Sequence, residues 1–410
     1  MKILLFLLLL TLPFQLGKHF WPSFTYLLGL KIDYLSPVVY VQDIIGFFLI
    51  AISFKKLTSI RKLPIILSVF GLAVFLNIYF SLNYQTAFWG WFRVLEYLLL
   101  GMIIKDNSVY VWKKLSQLVP FWLILEFILG LVQVWKQSSL GGIFWIVGER
   151  NFNVLSPGIA RAEWLGKVFL RPYGTFSHPN SLAGFVLICL ILISGSLKNS
   201  VFNKISFICG MILLVLCFSR TVWLTLFLLS LFYVLFRLME FVKNKIPFNF
   251  AYFFFLGILG IVVFLFSKTR IEASSFNFRQ ELMKYAIEVI KEKPLIGVGL
   301  NNFIISLSES QLSWKMISFL QPVHNIFLLT GAEFGLIGLA IFITFIFLTV
   351  RRVFQFHPAN SGIKFQILIA LLAIIFTGLF DHYWLTLVQN QFLFVLVLGL
   401  SWSKHSAIIS

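Results

Sequence analysis

The sequence predicts an all-α polytopic membrane protein with about twelve transmembrane helices and two long extracytoplasmic loops. Three observations predict it. The chain of 410 residues is 60% hydrophobic and only 12% charged, about half the charged share of a soluble domain. Apolar runs of about 18 residues, the length a spanning helix needs, recur along the whole chain. The basic residues behind the net charge of +18 sit in short connections between those runs, where a membrane protein keeps them. That placement excludes nucleic acid as the reason for the charge.

The N-terminal segment, Met1-Lys2 and then ILLFLLLLTLPFQLG, has the charged start and apolar core of a signal peptide. No small-residue cleavage site follows, so it reads as the first span. Twelve spans are expected near 2–17, 38–54, 64–81, 88–104, 117–135, 179–196, 203–218, 220–239, 249–267, 324–350, 364–380 and 384–402. Orientation follows from Lys and Arg in the short loops and at the termini. One side holds Lys2, Lys55, Lys56, Arg61, Lys62, Lys105, Lys113, Lys114, Lys198, Lys204, Arg237, Lys243, Lys245, Arg351, Arg352, Lys364 and Lys404. The other side holds Lys18, Lys31 and Arg220. The basic-rich side is the cytoplasmic one, with both termini inside, and the membrane is the bacterial inner membrane.

Residues 1–410 read as a single integral membrane domain whose long loops, 137–178 and 268–323, lie outside. The second loop contains FRQELMKYAIEVIKEKP. Phe278, Leu282, Tyr285, Ala286, Val289 and Ile290 recur there at helical spacing, with charges on the opposite face, and Pro294 ends the run. A short amphipathic helix over the outer mouth of the bundle is expected. Cys189, Cys209 and Cys217 fall inside apolar runs, with neither a disulfide pattern nor metal-ligand spacing. The 49 Phe and 12 Trp suit lipid-facing surface and interfacial anchors.

Four polar clusters map to the outer side. The first is Arg171-Pro-Tyr-Gly-Thr-Phe-Ser-His178-Pro-Asn180. The second is Ser219-Arg220, in a turn of almost no length. The third is Arg279 with the later Pro294-Leu-Ile-Gly297-Val-Gly299-Leu-Asn301-Asn302-Phe303. The fourth is His324-Asn325 with Glu333, Gly335 and Gly338. Each has a plain structural reading. Arg171 suits an interfacial anchor, His178 a helix cap, and His324 a hydrogen-bonded structural histidine. The Gly297-Val-Gly299 turn lacks the third glycine and preceding strand of a dinucleotide site and reads as backbone geometry. Gly331, Gly335 and Gly338 read as close helix packing. Arg93 and Glu96, at i, i+3 within a span, are spaced to pair. Arg220 fits the plain reading least, because its turn needs no anchor and its side of the membrane avoids positive charge.

Arginines facing one outer cavity make an anion site, since guanidinium groups hold phosphate oxygens bidentately and keep their charge. A nearby imidazole takes a hydroxyl proton near neutral pH. The outer acidic residues, Asp33, Glu149, Glu163, Glu272, Glu281, Glu288, Glu292, Glu309 and Asp381, form no Asp-x-Asp pair. A magnesium site normally needs carboxylates. The expectation is chemistry without metal or cofactor, with Arg standing where a cation would.

At these residues the chain resembles the bacterial O-antigen ligase and polymerase family of membrane glycosyltransferases. His324-Asn325, nine residues, Gly335, two residues and Gly338 are similar to the family's His-Asn/Ser/Gln-x9-Gly-x-x-Gly signature. Gly-Thr-Phe-Ser-His-Pro-Asn-Ser-Leu-Ala, Ser219-Arg220 and Lys293-Pro-Leu-Ile-Gly-Val-Gly-Leu-Asn-Asn-Phe also look like family blocks, in family order. The motif region covers 160–340. The resemblance implies an undecaprenyl-diphosphate-linked glycan donor and a lipid- or glycan-linked hydroxyl acceptor, with membrane lipids around the site. It implies Arg220 and Arg279 as diphosphate ligands and His324 as the base. Arg171, by the same resemblance, joins the diphosphate-binding set, with His178, Asn180 and Asn325 in support. The acceptor would attack the anomeric carbon with inversion.

Ligase and polymerase share donor and leaving group and differ in acceptor, so both readings stand. A glycolipid transporter or flippase is the reading from another class. It expects polar groups near the midplane of inverted repeats. Arg93, Glu96 and Glu126 are few for that, and no repeat is evident. A non-catalytic scaffold is the third.

Overall fold

The computed structural model describes residues 1–58, 63–164, 166–244, 260, 264, 273–310, 320–355 and 362–403. It is mostly helical. Four helices are long and apolar enough to cross a membrane: Tyr84–Asp106, Ser108–Lys136, Pro179–Leu197 and Ile326–Phe354. Shorter apolar helices occupy the positions of seven further expected spans. The protein is a multi-pass membrane protein. The span expected at 249–267 lies outside the described residues, apart from Gly260 and Phe264.

The chain folds as two compact units. The first comprises Met1–Leu118, Glu272–Leu371 and Gly378–Ser410; the second comprises Val119–Ile271 and Leu372–Thr377.

The first unit begins with α1 (Lys2–Thr11). Ten residues cover about 15 Å, half the hydrocarbon thickness, so α1 is shorter than the span expected at 2–17. Pro13 follows its end, and a proline has no N–H to continue the ladder. The buried Gln42 amide of α2 (Val41–Thr58) donates to the freed carbonyls of Thr11 and Phe14. Between the two helices lie two antiparallel ladders, β1 (Gly17–His19) with β4 (Val38–Tyr40), and β2 (Tyr26–Leu27) with β3 (Leu30–Lys31). These strands were not expected from a reading dominated by apolar runs.

Helices α3 (Leu63–Tyr79) and α4 (Tyr84–Asp106) follow. Arg93 of α4 pairs with Glu96 one turn on (2.9 Å), as its spacing suggests, and also with Asp43 of α2. Tyr97 completes this buried ionic group and donates to Gln391 Oε1 (2.8 Å).

Three further helices in the first unit flank two of the family-like blocks. Helix α9 (Ala273–Glu292) buries Leu282, Ala286 and Val289, with Phe278, Tyr285 and Ile290 partly buried in the same cluster. That is the apolar face read from sequence. Helix α10 (Phe303–Glu309) is short, and α11 (Ile326–Phe354) is long. Expected as one span, 384–402 is instead α13 (Tyr383–Thr386) and α14 (Val388–Ser401), separated by extended Leu387. The break frees the Leu385 carbonyl, which the Gln391 side chain satisfies. Helix α12 (Gly362–Gly378) precedes them.

The second unit holds most of α5 (Ser108–Lys136), then α6 (Pro179–Ile193), α7 (Val201–Leu216) and α8 (Arg220–Asn244). Its long loop is ordered around a hairpin of β5 (Arg161–Trp164) and β6 (Lys167–Leu170).

Candidate functional site

The Gly335 block owes its shape to a helix break. Gly335 has φ +69° and ψ −177° inside α11, so the helical ladder is interrupted there. The Pro294–Gly299 loop fills the gap. Val298 N donates to the Ala332 carbonyl (2.9 Å), Gly299 N to the Glu333 carbonyl (3.0 Å), and Leu336 N to the Pro294 carbonyl (2.7 Å). Buried carbonyls freed by a break must find partners, and this loop supplies N–H groups. The approach is too close for side chains. A Cβ on Gly297 (φ +73°) would lie 2.5 Å from the Ala332 carbonyl oxygen, and one on Gly335 would collide with the backbone of Leu295 and Ile296. Two of the family-like blocks are therefore one structural joint. Asn77 of α3 locks it, donating to the carbonyls of Ile296 and Glu333 (2.9 Å each) and accepting from Leu300 N (3.0 Å) and Trp91 Nε1 (2.8 Å).

His324 and Asn325 lie at the start of the same helix, α11, ahead of the break. Asn325 is the N-cap, its Oδ1 accepting from Phe327 N (2.8 Å) and Leu328 N (3.0 Å). His324, just outside the helix, is buried at 9% exposure, and its Nδ1 has no hydrogen-bond partner. Its ring stands edge to face with His382 at 5.0 Å between centroids. Burial holds His324 well below the usual histidine range, and the charge of Arg279 on α9, then His382, adds to that. The imidazole is neutral, with lone pairs available. Burial also pushes His382 down to about 4; Asp381 raises it and Arg279 lowers it.

His382 and Asp381 were not singled out by sequence for this role. His382 Nδ1 lies 2.7 Å from Thr386 Oγ1, which gives its own proton to the His382 carbonyl (3.1 Å). The Thr386 hydroxyl holds the His382 ring in place through Nδ1. Asp381 Oδ1 accepts from His382 N (2.9 Å). One donor atom from each of His324, Asp381 and His382 lies within 4.8 Å of the others. An Asp-His pair opening a late span was the only sequence signal.

In the second unit the structure brings Arg171, His178, Asn180 and the turn before Arg220 together. Arg171 Nε donates to the Cys217 carbonyl (2.7 Å) at the end of α7, and Nη2 to Asn180 Oδ1 (2.6 Å). A guanidinium at a helix C-terminus meets the negative end of its dipole. His178 is the N-cap of α6, its Nδ1 accepting from Asn180 N (3.1 Å). Ser219 is buried, and Arg220 opens α8 directly after it.

Sequence reasoning missed what holds this block in place. Glu126 and Gln133, seven residues apart on one face of α5, are fully buried. Glu126 accepts from Thr175 N (3.0 Å) and Thr175 Oγ1 (2.7 Å). Gln133 Oε1 accepts from Tyr173 N (2.9 Å) and Gly174 N (2.8 Å), while its amide donates to the Gly174 carbonyl (3.0 Å) and Glu149 (2.8 Å). Gly174 has φ +56°, and a Cβ there would strike the Glu126 carboxylate. Two polar residues at i, i+7 inside an apolar span were the available signal.

Residues 205–343 match the family model described as O-antigen ligase. Over that stretch the chain resembles the O-antigen ligase family, as its motifs imply. The matched stretch contains Arg220, Arg279, His324, Asn325 and the Gly335 joint; Arg171, His178 and Asn180 precede it. No curated protein matches the chain.

Proposed function

We propose that the protein is a membrane glycosyltransferase that moves a glycan from an undecaprenyl-diphosphate carrier to a hydroxyl acceptor on the extracytoplasmic face of the inner membrane. The observation that carries this reading is the O-antigen ligase match over a stretch containing buried, neutral His324 within the electrostatic reach of Arg279. His324 takes the acceptor hydroxyl's proton. The acceptor oxygen bonds to the anomeric carbon from the face opposite the leaving group, inverting it. The bond from that carbon to the diphosphate breaks, and its electron pair leaves on the diphosphate. Arg279 is assigned to the diphosphate, where it balances the charge that develops on the leaving oxygen. Arg220 and Arg171 are assigned to the same ligand by sequence resemblance, with His178, Asn180 and Asn325 in supporting roles.

The test uses the full chain in proteoliposomes with a lipid-diphosphate-linked glycan and a hydroxyl acceptor. Replacement of His324 or Arg279 by Ala strongly lowers release of undecaprenyl diphosphate; undiminished release in both would sink the mechanism. Deletion of the gene separates ligase from polymerase. Unattached long chains mark a ligase, and a single repeat unit on an otherwise normal acceptor marks a polymerase.

A further inference from the structure

We propose that His324, Asp381 and His382 bind a divalent ion of the zinc class, and that its binding arrests transfer by occupying the lone pair on His324. The site is built from two imidazoles and a carboxylate, all buried, with one donor atom from each within 4.8 Å of the others. Two imidazoles favour zinc, cobalt, nickel or copper over magnesium and calcium, which take oxygen ligands.

Two independent observations point to a ligand. His324 Nδ1 is buried without a partner, which is costly for a polar atom unless something occupies it. His382 is already oriented as a ligand, because its Nδ1 lies 2.7 Å from the Thr386 hydroxyl. That hydrogen bond is the outer-shell contact that metal-ligating histidines usually make.

A tetrahedral ion with bonds of about 2.0–2.2 Å needs donors about 3.3–3.5 Å apart, so the three groups close by roughly an ångström on binding. Three protein ligands leave a fourth position open to water or a phosphate oxygen. Arg279 carries a charge of the same sign as the ion and so opposes its binding.

Binding itself is independent of the proposed function, whereas the arrest rests on it. The experiment titrates the purified full-length protein, in detergent and stripped with EDTA, with Co2+ while recording visible absorption. One equivalent of a nitrogen- and oxygen-ligated band is expected, displaced by Zn2+ and unmoved by excess Mg2+. Asp381→Asn and His382→Gln each weaken Co2+ binding at least about tenfold, in step with the loss expected of even an outer-shell partner. Arg279→Gln tightens it severalfold. Asp381→Asn is nearly isosteric, and size-exclusion profiles establish that each variant is folded. An absent wild-type band, or equal affinity in both ligand variants, overturns the site and leaves the role of His324 as base untouched. In the transfer assay Zn2+ suppresses activity and EDTA restores it. Full transfer at saturating Zn2+, with the Co2+ band present, overturns the arrest and counts against His324 as the base.

Discussion

The two histidine-bearing clusters, one in each unit, differ in what their polar atoms are bonded to. In the second unit Arg171 reaches the Cys217 carbonyl and Asn180, and His178 Nδ1 caps α6. In the first unit His324 Nδ1 is buried without a partner beside His382, whose Nδ1 meets the Thr386 hydroxyl. Both clusters look alike in sequence, each a short polar block with a histidine ahead of an apolar run. The bonding separates them. One set spends its hydrogen bonds on building backbone; the other keeps lone pairs in reserve. A polar motif at a helix start is thus a mixture of frame and chemistry, and partner accounting sorts the two.

The largest expected effect breaks the comparison if it fails. His324→Ala lowers transfer by about 10²–10⁴-fold, the usual loss on removing a general base. His178→Asn, which keeps an N-cap acceptor, changes it far less. Release of undecaprenyl diphosphate measures both, and equal losses would erase the distinction between frame and chemistry.

Next come the residues that hold the frame. Glu126→Ala removes both hydrogen bonds to Thr175 in a dry interior and costs about 2–4 kcal/mol of stability. Glu126→Gln keeps an acceptor and loses less. Gly335→Ala forces a side chain into left-handed backbone against Leu295 and costs about 2–3 kcal/mol. Thermal unfolding in detergent reads each change. If Gly335→Ala is neutral, the joint between the Pro294–Gly299 loop and α11 is not a constraint on that helix.

Much of the frame was legible in the sequence. Long apolar runs mark the helices because a spanning segment must be apolar nearly throughout. The face of α9 was legible because Leu282, Ala286 and Val289 repeat at helical spacing and are the residues buried. The pair Arg93 and Glu96 was legible because i, i+3 neighbours touch on a helix. Asp43, their third member, was not, since it arrives from another helix. The breaks at Gly335 and Leu387 were hidden too. Each depends on a distant donor, the Val298 and Gly299 amides in one case and Gln391 in the other, that satisfies the freed carbonyls. Of the candidate site, His324 and Arg279 were both singled out in the sequence. His382 was missed because it follows in sequence by more than fifty residues and belongs to no motif of its own. Glu126 was read as a stray midplane charge for the same reason: its partner Thr175 lies in a loop 49 positions on.

The smallest expected effect sharpens the comparison most finely. Thr386 Oγ1 lies 2.7 Å from His382 Nδ1 and 3.1 Å from the His382 carbonyl oxygen. Thr386→Val keeps the volume and removes the hydroxyl, leaving a buried ring nitrogen unpaired at a cost of about 1–3 kcal/mol. Thr386→Ser restores the hydroxyl and most of the stability. If His382 were frame in the manner of His178, valine would alter stability alone. Because the two rings stand edge to face at 5.0 Å, valine also frees the His382 ring to change its contact with His324. The His324 imidazole resonance, followed by nitrogen-15 labelling of histidine, shifts in Thr386→Val and returns in Thr386→Ser. A resonance that stays fixed in both would place His382 with the frame after all.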